Sequence, residues 1–143
     1  MGVKAIVSLG SNIEPREAYL KRAVAALSAL PETTFVKASS VIETEPVDVP
    51  PEFAALKFLN QVAIFETKLD VFDFSSKMHQ IEDDLGRVRA FRNGPRTIDI
   101  DLIDFGGLTI NTPELTLPHP RARERSFVIE PLRELGALDI WSA

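Results

Sequence analysis

Between residues 87 and 101 the chain combines arginines and aspartates in a pattern suited to phosphate chemistry. The segment RVRAFRNGPR has no acidic residue and contains four arginines: Arg87, Arg89, Arg92 and Arg96. Asp99 and Asp101 follow directly, two positions apart. Guanidinium groups bind phosphate oxygens through paired hydrogen bonds, and paired carboxylates hold hard divalent cations. The combination predicts a site for a metal-bound polyphosphate.

The two aspartates fall in a stretch typical of a strand, in which alternate side chains point to the same face. Asp99 and Asp101 are therefore expected to share one face, about 6–7 Å apart at Cα, where they can hold two metal ions. Their hydrophobic neighbours are expected to enter the core: Ile98, Ile100 and Leu102. A solvated acidic face would explain the aspartates but not the arginines. Asp104 breaks the alternation and is predicted to be a turn residue.

The charge distribution favours a small anionic ligand. The formal net charge is −5, yet seven of the ten arginines lie between residues 87 and 125. A local cationic site on an acidic protein suits a small anion better than a nucleic acid. There is no cysteine, which excludes disulfides and thiolate metal sites. No apolar run approaches the ~20 residues of a membrane span, so a cytoplasmic protein without a membrane partner is expected.

Hydrophobic periodicity divides the chain into alternating strands and helices. Strands are predicted at 4–9, 34–42, 58–67 and 98–105, with helices at about 15–30 and 70–85. This order predicts an α+β fold, a ferredoxin-like βαββαβ sandwich with a predominantly antiparallel sheet, helices packed on it and a C-terminal extension. The length of 143 residues predicts a single domain over residues 1–143.

Two long irregular segments separate these elements. Residues 43–56 contain three prolines, and residues 86–97 carry the arginines. Loops of this length in compact domains are usually functional. A closing loop would exclude water from a reactive polyphosphate, so residues 43–56 and 86–96 are predicted to be mobile and ordered by substrates.

Shorter turns and a last helix complete the predicted elements. Gly10, Ser11 and Asn12 are expected to end the first strand in a turn. A turn at Gly106–Gly107 would let residues 108–110 pair back as a hairpin. A last helix around residues 127–132 is expected to have Pro131 near its start or to be kinked by it.

Polar residues elsewhere have two interpretations each. Asn60 lies among apolar residues of a predicted strand and either reads a heterocycle edge or bridges a strand edge. His119 stands between two prolines, ahead of alternating arginines, and is either structural or an anion contact. His79 lies on the helix face away from the hydrophobic stripe, three residues before Glu82. Glu82 either orients a ligand or is solvated.

Six segments resemble the 6-hydroxymethyl-7,8-dihydropterin pyrophosphokinase family. In chain order they are VSLGSNI, SSVIETEPV, FLNQV, QIEDDLGRVR, GPRTIDIDL and LPHPRARERSFV. They span about residues 5 to 132, and GPRTIDIDL followed by LPHPR is the most specific. The resemblance implies transfer of a diphosphoryl group from ATP to the hydroxymethyl oxygen of the pterin, with AMP released, in tetrahydrofolate biosynthesis.

The resemblance also implies roles for individual residues. Asp99 and Asp101 would bind two Mg²⁺ ions with ATP, and Arg87 and Arg96 would be catalytic arginines that also bind ATP. The pterin pocket would be lined by Thr44, Val47, Phe58, Asn60 and Phe127. Further ATP contacts would come from His79, Glu82, Leu102, Thr116, His119, Arg121 and Arg125.

Three positions depart from the family pattern, namely Glu45, Asn93 and Pro120. Asn93 stands where some members carry an aromatic residue that seals the site. Two alternatives remain open, a Mg²⁺-dependent nucleotidyltransferase and a catalytically weak ferredoxin-like module that binds pterin or nucleotide. The expected partners are ATP and the pterin, with no nucleic acid, and the expected state is a monomer.

Overall fold

Strands and helices alternate along the chain in the computed structural model, which describes residues 2–13, 15–44, 57–85, 98–120, 122 and 125–137. The strands are β1 (Val3–Ser11), β2 (Thr33–Ala38), β3 (Ile42–Thr44), β4 (Phe58–Thr67), β5 (Asp99–Phe105), β6 (Ile110–Asn111) and β7 (Thr116–Leu117). The helices are α1 (Arg16–Ser28), α2 (Val71–Asp84) and α3 (Ser126–Glu134). None of these helices is long and apolar enough to span a membrane.

The main sheet is antiparallel and has β1 near its centre. Its order is β2-β4-β1-β5, and β3 also pairs with β4. This order is consistent with a ferredoxin-like arrangement, in which each helix connects two strands that are separated by a third. The predicted α+β fold class is therefore confirmed.

Hydrophobic side chains leave β1 and β4 on both faces of the sheet. On one face, Val7 and Phe65 pack in a cluster with buried residues of α1 and α2. On the opposite face, Ile6 and Val62 pack with Val128 and other residues of α3. Full burial of such side chains contributes about 1.5–3 kcal/mol each. The described sheet is thus covered by α1 and α2 on one face and by α3 on the other.

Helix α2 follows the predicted hydrophobic stripe. Asp70 caps its first turn, since the carboxylate accepts hydrogen bonds from the backbone N–H groups of Phe72 and Asp73. Phe74, Met78 and Ile81 are buried at helical spacing. The sequence pattern therefore predicts both the extent and the buried face of this helix.

The predicted strand over residues 34–42 is divided in two. Between β2 and β3, the Ser39 hydroxyl accepts a hydrogen bond from Val62 N at 3.0 Å, and Ser39 N donates to Val62 O at 2.8 Å. The side-chain oxygen of Ser39 thus takes the place of a main-chain carbonyl as the acceptor for a β4 N–H group, which interrupts the regular strand. β3 then extends through Thr44, so residues 43 and 44 belong to a strand rather than to the predicted loop.

Two predicted turns are different in the structure. Gly10 and Ser11 belong to β1 because each pairs with a residue of β4, and Gly10 also pairs with β5. Asp104 was predicted to be a turn residue, but it is a buried residue of β5. It follows the point at which the register between β5 and β1 shifts. Its Oδ2 atom still accepts a hydrogen bond from Gly107 N at 3.3 Å, so the side chain stabilises the predicted glycine turn.

The region after this turn also differs from the prediction. Residues 108–110 do not pair back onto β5 as a hairpin, since β6 pairs with β7 instead. In α3, Pro131 is the sixth of nine residues rather than lying near the start. Beyond the first turn a proline removes one intrahelical hydrogen bond, and α3 ends soon afterwards.

The end of α3 is attached to the connection between β2 and β3. The Glu134 carboxylate accepts hydrogen bonds from the Ser40 hydroxyl at 2.7 Å and from Ser40 N at 2.9 Å. These bonds, the hydroxyl one foremost, lower the pKa of Glu134. Lys37 Nζ also donates to Leu135 O at 2.9 Å. These contacts fix the residues that lead into β3, the strand that contains Thr44.

Candidate active site at one end of the sheet

Asp99 and Asp101, hereafter the carboxylate pair, lie on the face of β5 that is also covered by α3. Ile98, Ile100 and Leu102 are buried on the other face, so the side chains alternate as the spacing predicts. The Asp101 side chain is 39% exposed. A strand in the sheet thus presents two partly accessible carboxylates on one side.

Strand register places Asn60 beside the carboxylate pair. Gly10 in β1 pairs with Asn60 of β4 on one side and with Asp99 of β5 on the other. Residues directly opposite in neighbouring strands share a face, and two strand spacings amount to about 10 Å. The amide and the carboxylate therefore lie in one row across the end of the sheet, separated by a residue without a side chain.

Three of the predicted pterin residues come together beside this row. Asn60 is 4% exposed, and its Nδ2 group donates a hydrogen bond to the Thr44 hydroxyl. Phe58 is directly opposite Thr44 in the pairing of β3 with β4. Because the Asn60 amide is held in a fixed orientation, its carbonyl oxygen can read a donor on a ligand.

Phe127 and Arg125 lie at the start of α3. Phe127 packs against the hydrophobic cluster on the α3 face, the same face as Asn60 and Asp99. The Arg125 guanidinium carbon lies 5.5 Å from the centroid of the Phe127 ring, within the range of a cation–π contact. The ring and the cation therefore lie together above this face of the sheet.

Gly10 was not predicted as a site residue, although the structure places it between the amide and the carboxylate pair. A Cβ atom at this position would lie 3.0 Å from Asn60 Oδ1 and 3.4 Å from Phe58 Cδ1. The contact with Asn60 Oδ1 is tighter than most in packed interiors, so the amide would have to shift by a few tenths of an ångström. The role of Gly10 becomes evident only from the pairing of β1 with both β4 and β5. Local sequence does not specify the register of these strands.

If the predicted pterin binds beside Asn60, Gly10→Ala is expected to raise its KM by about tenfold, the equivalent of about 1.4 kcal/mol, because the substitution displaces the Asn60 amide. Steady-state kinetics with each substrate varied in turn will measure the effect. Gly107→Ala provides a control for a destabilising glycine change elsewhere in the fold, since a Cβ there meets no atom within 4 Å but the backbone φ of +76° strains any L side chain. An unchanged pterin KM in Gly10→Ala would show that Gly10 does not keep space for Asn60.

His119 lies next to the carboxylate pair. Its Nε2 atom is 4.0 Å from Asp101 Oδ1, and its backbone N–H donates to Ile103 O at 2.9 Å. Of the other predicted nucleotide residues, Thr116 lies in β7 with an exposed side chain. Leu102 is buried on the opposite face, so it can reach a nucleotide only through main-chain atoms.

The structure excludes one of the two interpretations predicted for Glu82, that of a solvated side chain. Only 3% of Glu82 is exposed. Its Oε2 atom accepts a hydrogen bond from Ile100 N at 2.7 Å, and its Oε1 atom lies 2.9 Å from His79 Nδ1. The sequence contained a signal for this burial, because Glu82 follows Met78 by four residues on the hydrophobic stripe.

Several predicted site residues lie outside the described part of the chain: Val47, Arg87, Arg96 and Arg121. The predicted loop mobility falls largely on residues 45–56 and 86–97, which are also outside it, as are Glu45 and Asn93. The described site therefore consists of the carboxylate pair, His119, Asn60 with its neighbours Thr44 and Phe58, and the start of α3.

The donor chemistry of the carboxylate pair fits magnesium. Mg²⁺ prefers oxygen ligands and is usually held by one or two carboxylates together with substrate phosphates and water. Within the described ranges, no three His, Asp or Glu side chains converge on one point. A two-carboxylate site therefore matches a metal that arrives with a polyphosphate better than a metal enclosed by protein ligands.

The fold and the site define a class of protein, an antiparallel α+β domain with a carboxylate pair and a buried amide in one row on one face. A model of the 7,8-dihydro-6-hydroxymethylpterin-pyrophosphokinase (HPPK) family matches residues 6–137. The chain belongs to this family, and the resemblance inferred from its motifs is confirmed.

Two bacterial relatives have the name 2-amino-4-hydroxy-6-hydroxymethyldihydropteridine pyrophosphokinase. The protein of Bacillus subtilis (strain 168) is 44% identical over 131 residues, covering 92% of this chain and 77% of the relative. The protein of Pseudomonas aeruginosa is 38% identical over 137 residues, covering 93% and 80%. The predicted enzyme class thus agrees with the names of these relatives.

Solved structures confirm the fold independently. Plasmodium falciparum HPPK-DHPS with pteroate superposes with a TM-score of 0.71 at 14% identity, over 94% of this chain and 39% of that one. An HPPK-DHPS in complex with substrates gives the same TM-score at 13% identity, over 94% and 40%. The chain therefore spans less than half the length of these longer proteins, and the likeness concerns the fold.

Proposed function

We propose that this chain transfers a diphosphoryl group from ATP to the hydroxymethyl group of 6-hydroxymethyl-7,8-dihydropterin. The observation that carries the proposal is the row of Asn60, Gly10 and Asp99, which sets a heterocycle-reading amide beside a metal-binding carboxylate. Membership of the HPPK family supports the same reaction. We further propose that residues 1–143 act as one domain, as a cytoplasmic monomer, with small-molecule substrates only.

The pterin would bind next to Asn60, Thr44 and Phe58. The amide has one carbonyl acceptor and two donors, which match the mixed donor and acceptor edge of a pterin. The bond from Asn60 to Thr44 leaves the carbonyl oxygen oriented by the protein before the substrate arrives. Phe58 and Phe127 offer aromatic faces suited to a flat ring, and Val47 would complete the pocket.

ATP would bind with its phosphates over the carboxylate pair. Asp99 and Asp101 would hold two Mg²⁺ ions, which when bound neutralise charge on the phosphate oxygens. His119 lies close enough to Asp101 to donate a hydrogen bond to a phosphate that the pair has positioned. Other nucleotide contacts proposed from the sequence are His79, Leu102, Thr116, Arg121 and Arg125, whereas the sixth residue of that prediction, Glu82, is buried against the main chain of β5.

The transfer forms a bond between the hydroxymethyl oxygen and the β-phosphorus and breaks the bond from that phosphorus to the oxygen of the α-phosphate. The hydroxymethyl group loses its proton in this step, so the products are AMP, the pterin diphosphate and a proton released to solvent. Positioning and charge stabilisation should supply most of the catalysis, since the transferred group is highly charged. Arg87 and Arg96 are proposed to stabilise charge on the bridging oxygen. Two strand spacings, about 10 Å, separate Asn60 from Asp99 and leave room for a substrate that spans both.

The test is AMP release from ATP, measured with and without the pterin and Mg²⁺. We expect AMP and the pterin diphosphate in equal amounts, only when both additions are present. ADP as product, or ATP hydrolysis that is independent of pterin, would contradict diphosphoryl transfer. Incorporation of nucleotide into an acceptor would instead indicate a nucleotidyltransferase, and tight pterin binding without turnover a binding module.

A further inference from the structure

We propose that Glu82 is a positioning residue, which fixes the main chain of β5 between the two members of the carboxylate pair. The inference rests on the proposed function, in which Asp99 and Asp101 hold the metal. The Ile100 N–H group donates to Glu82 Oε2 at 2.7 Å. Hydrogen bonds from N–H groups to ionised acceptors of this length are about twice as strong as neutral ones.

The position of β5 explains why such a contact matters. Among the described strands, β5 lies at the edge of the main sheet, with β1 as its neighbour. An edge strand presents N–H groups that no further strand can bind, and its main chain is less constrained than that of a central strand. Glu82 provides the acceptor for the peptide group between Asp99 and Asp101. It therefore restricts the one main-chain segment from which both carboxylates project.

Glu82 is itself held in place by the protein. A buried carboxylate is costly unless hydrogen bonds compensate for its lost solvation, and this one is almost completely buried. In addition to Ile100 N, it has a partner in His79 Nδ1 at 2.9 Å, on a side chain that is 60% exposed. Two contacts through different oxygens fix the rotation of the carboxylate. Through this side chain, α2 holds the main chain of β5 at a fixed position.

Glu82 acts from the side of the sheet opposite the metal. The buried face of α2 packs with Ile100 and Leu102, whereas Asp99 and Asp101 project to the other face. No described group of three acidic or histidine side chains could hold one ion, so Glu82 is not a third ligand. Its role corresponds to the partners that orient metal ligands, whose loss typically costs about 10- to 100-fold in metal affinity or activity.

The experiment compares Glu82→Ala, Glu82→Gln and the control Asp83→Ala, which removes the adjacent exposed carboxylate of α2. In Glu82→Ala we expect the Ile100 amide to exchange with solvent on the order of tenfold faster by NMR. Mn²⁺ affinity, measured by EPR with a non-hydrolysable ATP analogue, should fall by about 10- to 100-fold. Glu82→Gln keeps an oxygen acceptor for Ile100 and should recover most of both properties, and Asp83→Ala should match the wild type.

Three results would overturn the proposal. Unchanged exchange at Ile100 in Glu82→Ala would show that the hydrogen bond does not protect β5. Faster exchange and a lower Tm with unaltered Mn²⁺ affinity would make Glu82 merely structural. Weaker binding of the metal-free analogue with unchanged Mn²⁺ affinity would make it a nucleotide contact.

Glu82→Gln decides the matter if Glu82→Ala does not fold. Retained Mn²⁺ affinity with a protected Ile100 amide would support positioning, and lost affinity with that amide still protected would contradict it. Amide exchange and Mn²⁺ binding do not depend on turnover. A wild-type protein that fails to release AMP would therefore contradict the proposed function and leave these results intact.

Discussion

Asp101→Ala is expected to lower kcat for AMP release by about 1,000-fold or more and to leave pterin affinity unchanged. Metal-assisted neutralisation of a phosphoryl group is worth several kcal/mol, and each 1.4 kcal/mol corresponds to about a factor of ten in rate. The side chain is partly exposed and projects from the sheet, so its truncation removes a ligand without opening a cavity in the core. Rapid-quench measurement of AMP in a single turnover will isolate the chemical step.

The matched control for this change is Glu66→Ala. Glu66 is an exposed carboxylate on β4, and it pairs with Lys4 at the opposite end of the sheet from Asp99. The substitution removes a strand carboxylate and one negative charge without approaching the site. Pterin binding to both variants, measured by calorimetry, should equal that of the wild type. If Asp99→Ala and Asp101→Ala both retained wild-type turnover, the proposed metal site would be wrong.

The local elements could be predicted because their causes are local. The bounds predicted for β4, residues 58–67, are those observed, and α2 agrees to within a residue at each end. Alternation with period two and a stripe with period 3.6 specify which side chains are buried, whatever the rest of the chain does. The same alternation is sufficient to predict that Asp99 and Asp101 share one face of β5.

The errors arose where one element depends on another. Ser39 interrupts the predicted second strand because its hydroxyl binds the main chain of β4, at a residue far away in sequence. The hairpin expected after Gly107 is absent because β6 pairs with β7. Propensity and spacing do not contain these pairings. The local sequence around Ser39 is compatible with one continuous strand and with two separate strands, because a serine hydroxyl can replace a main-chain acceptor.

In the candidate site, too, local features could be predicted from the sequence, whereas features that depend on strand pairing could not. The residue types of the carboxylate pair and of Asn60 are evident from the sequence, but their proximity follows from the register of β1 with both neighbours. The sequence favours a turn at Gly10, because glycine usually marks one. In the sheet Gly10 instead keeps the space beside Asn60 open. Its role depends on the strands on either side, which local sequence does not specify.

Asn60→Leu is expected to raise the Kd for the pterin by about 10- to 100-fold while ATP affinity is unchanged. Leucine preserves the approximate volume but removes the amide, so the polar edge of a bound pterin loses its partner. Burying a polar group without its hydrogen bond costs about 1–3 kcal/mol, which corresponds to this range. The effect should be confined to the pterin, because Asn60 lies about two strand spacings from Asp99. Equilibrium titration with each substrate alone will separate the two affinities.

Gln61→Leu is the control that tests whether the amide itself is responsible. Gln61 is the next residue of β4. Its Nε2 group donates to Ser39 O at 2.8 Å, whereas that of Asn60 donates to Thr44. The exchange of side chains is chemically the same, an amide for a branched hydrocarbon on the same strand. A pterin Kd that rises only in Asn60→Leu would assign recognition to the amide held by Thr44. Equal losses in both variants would attribute the effect to disturbance of β4, and no loss in Asn60→Leu would place the pterin elsewhere.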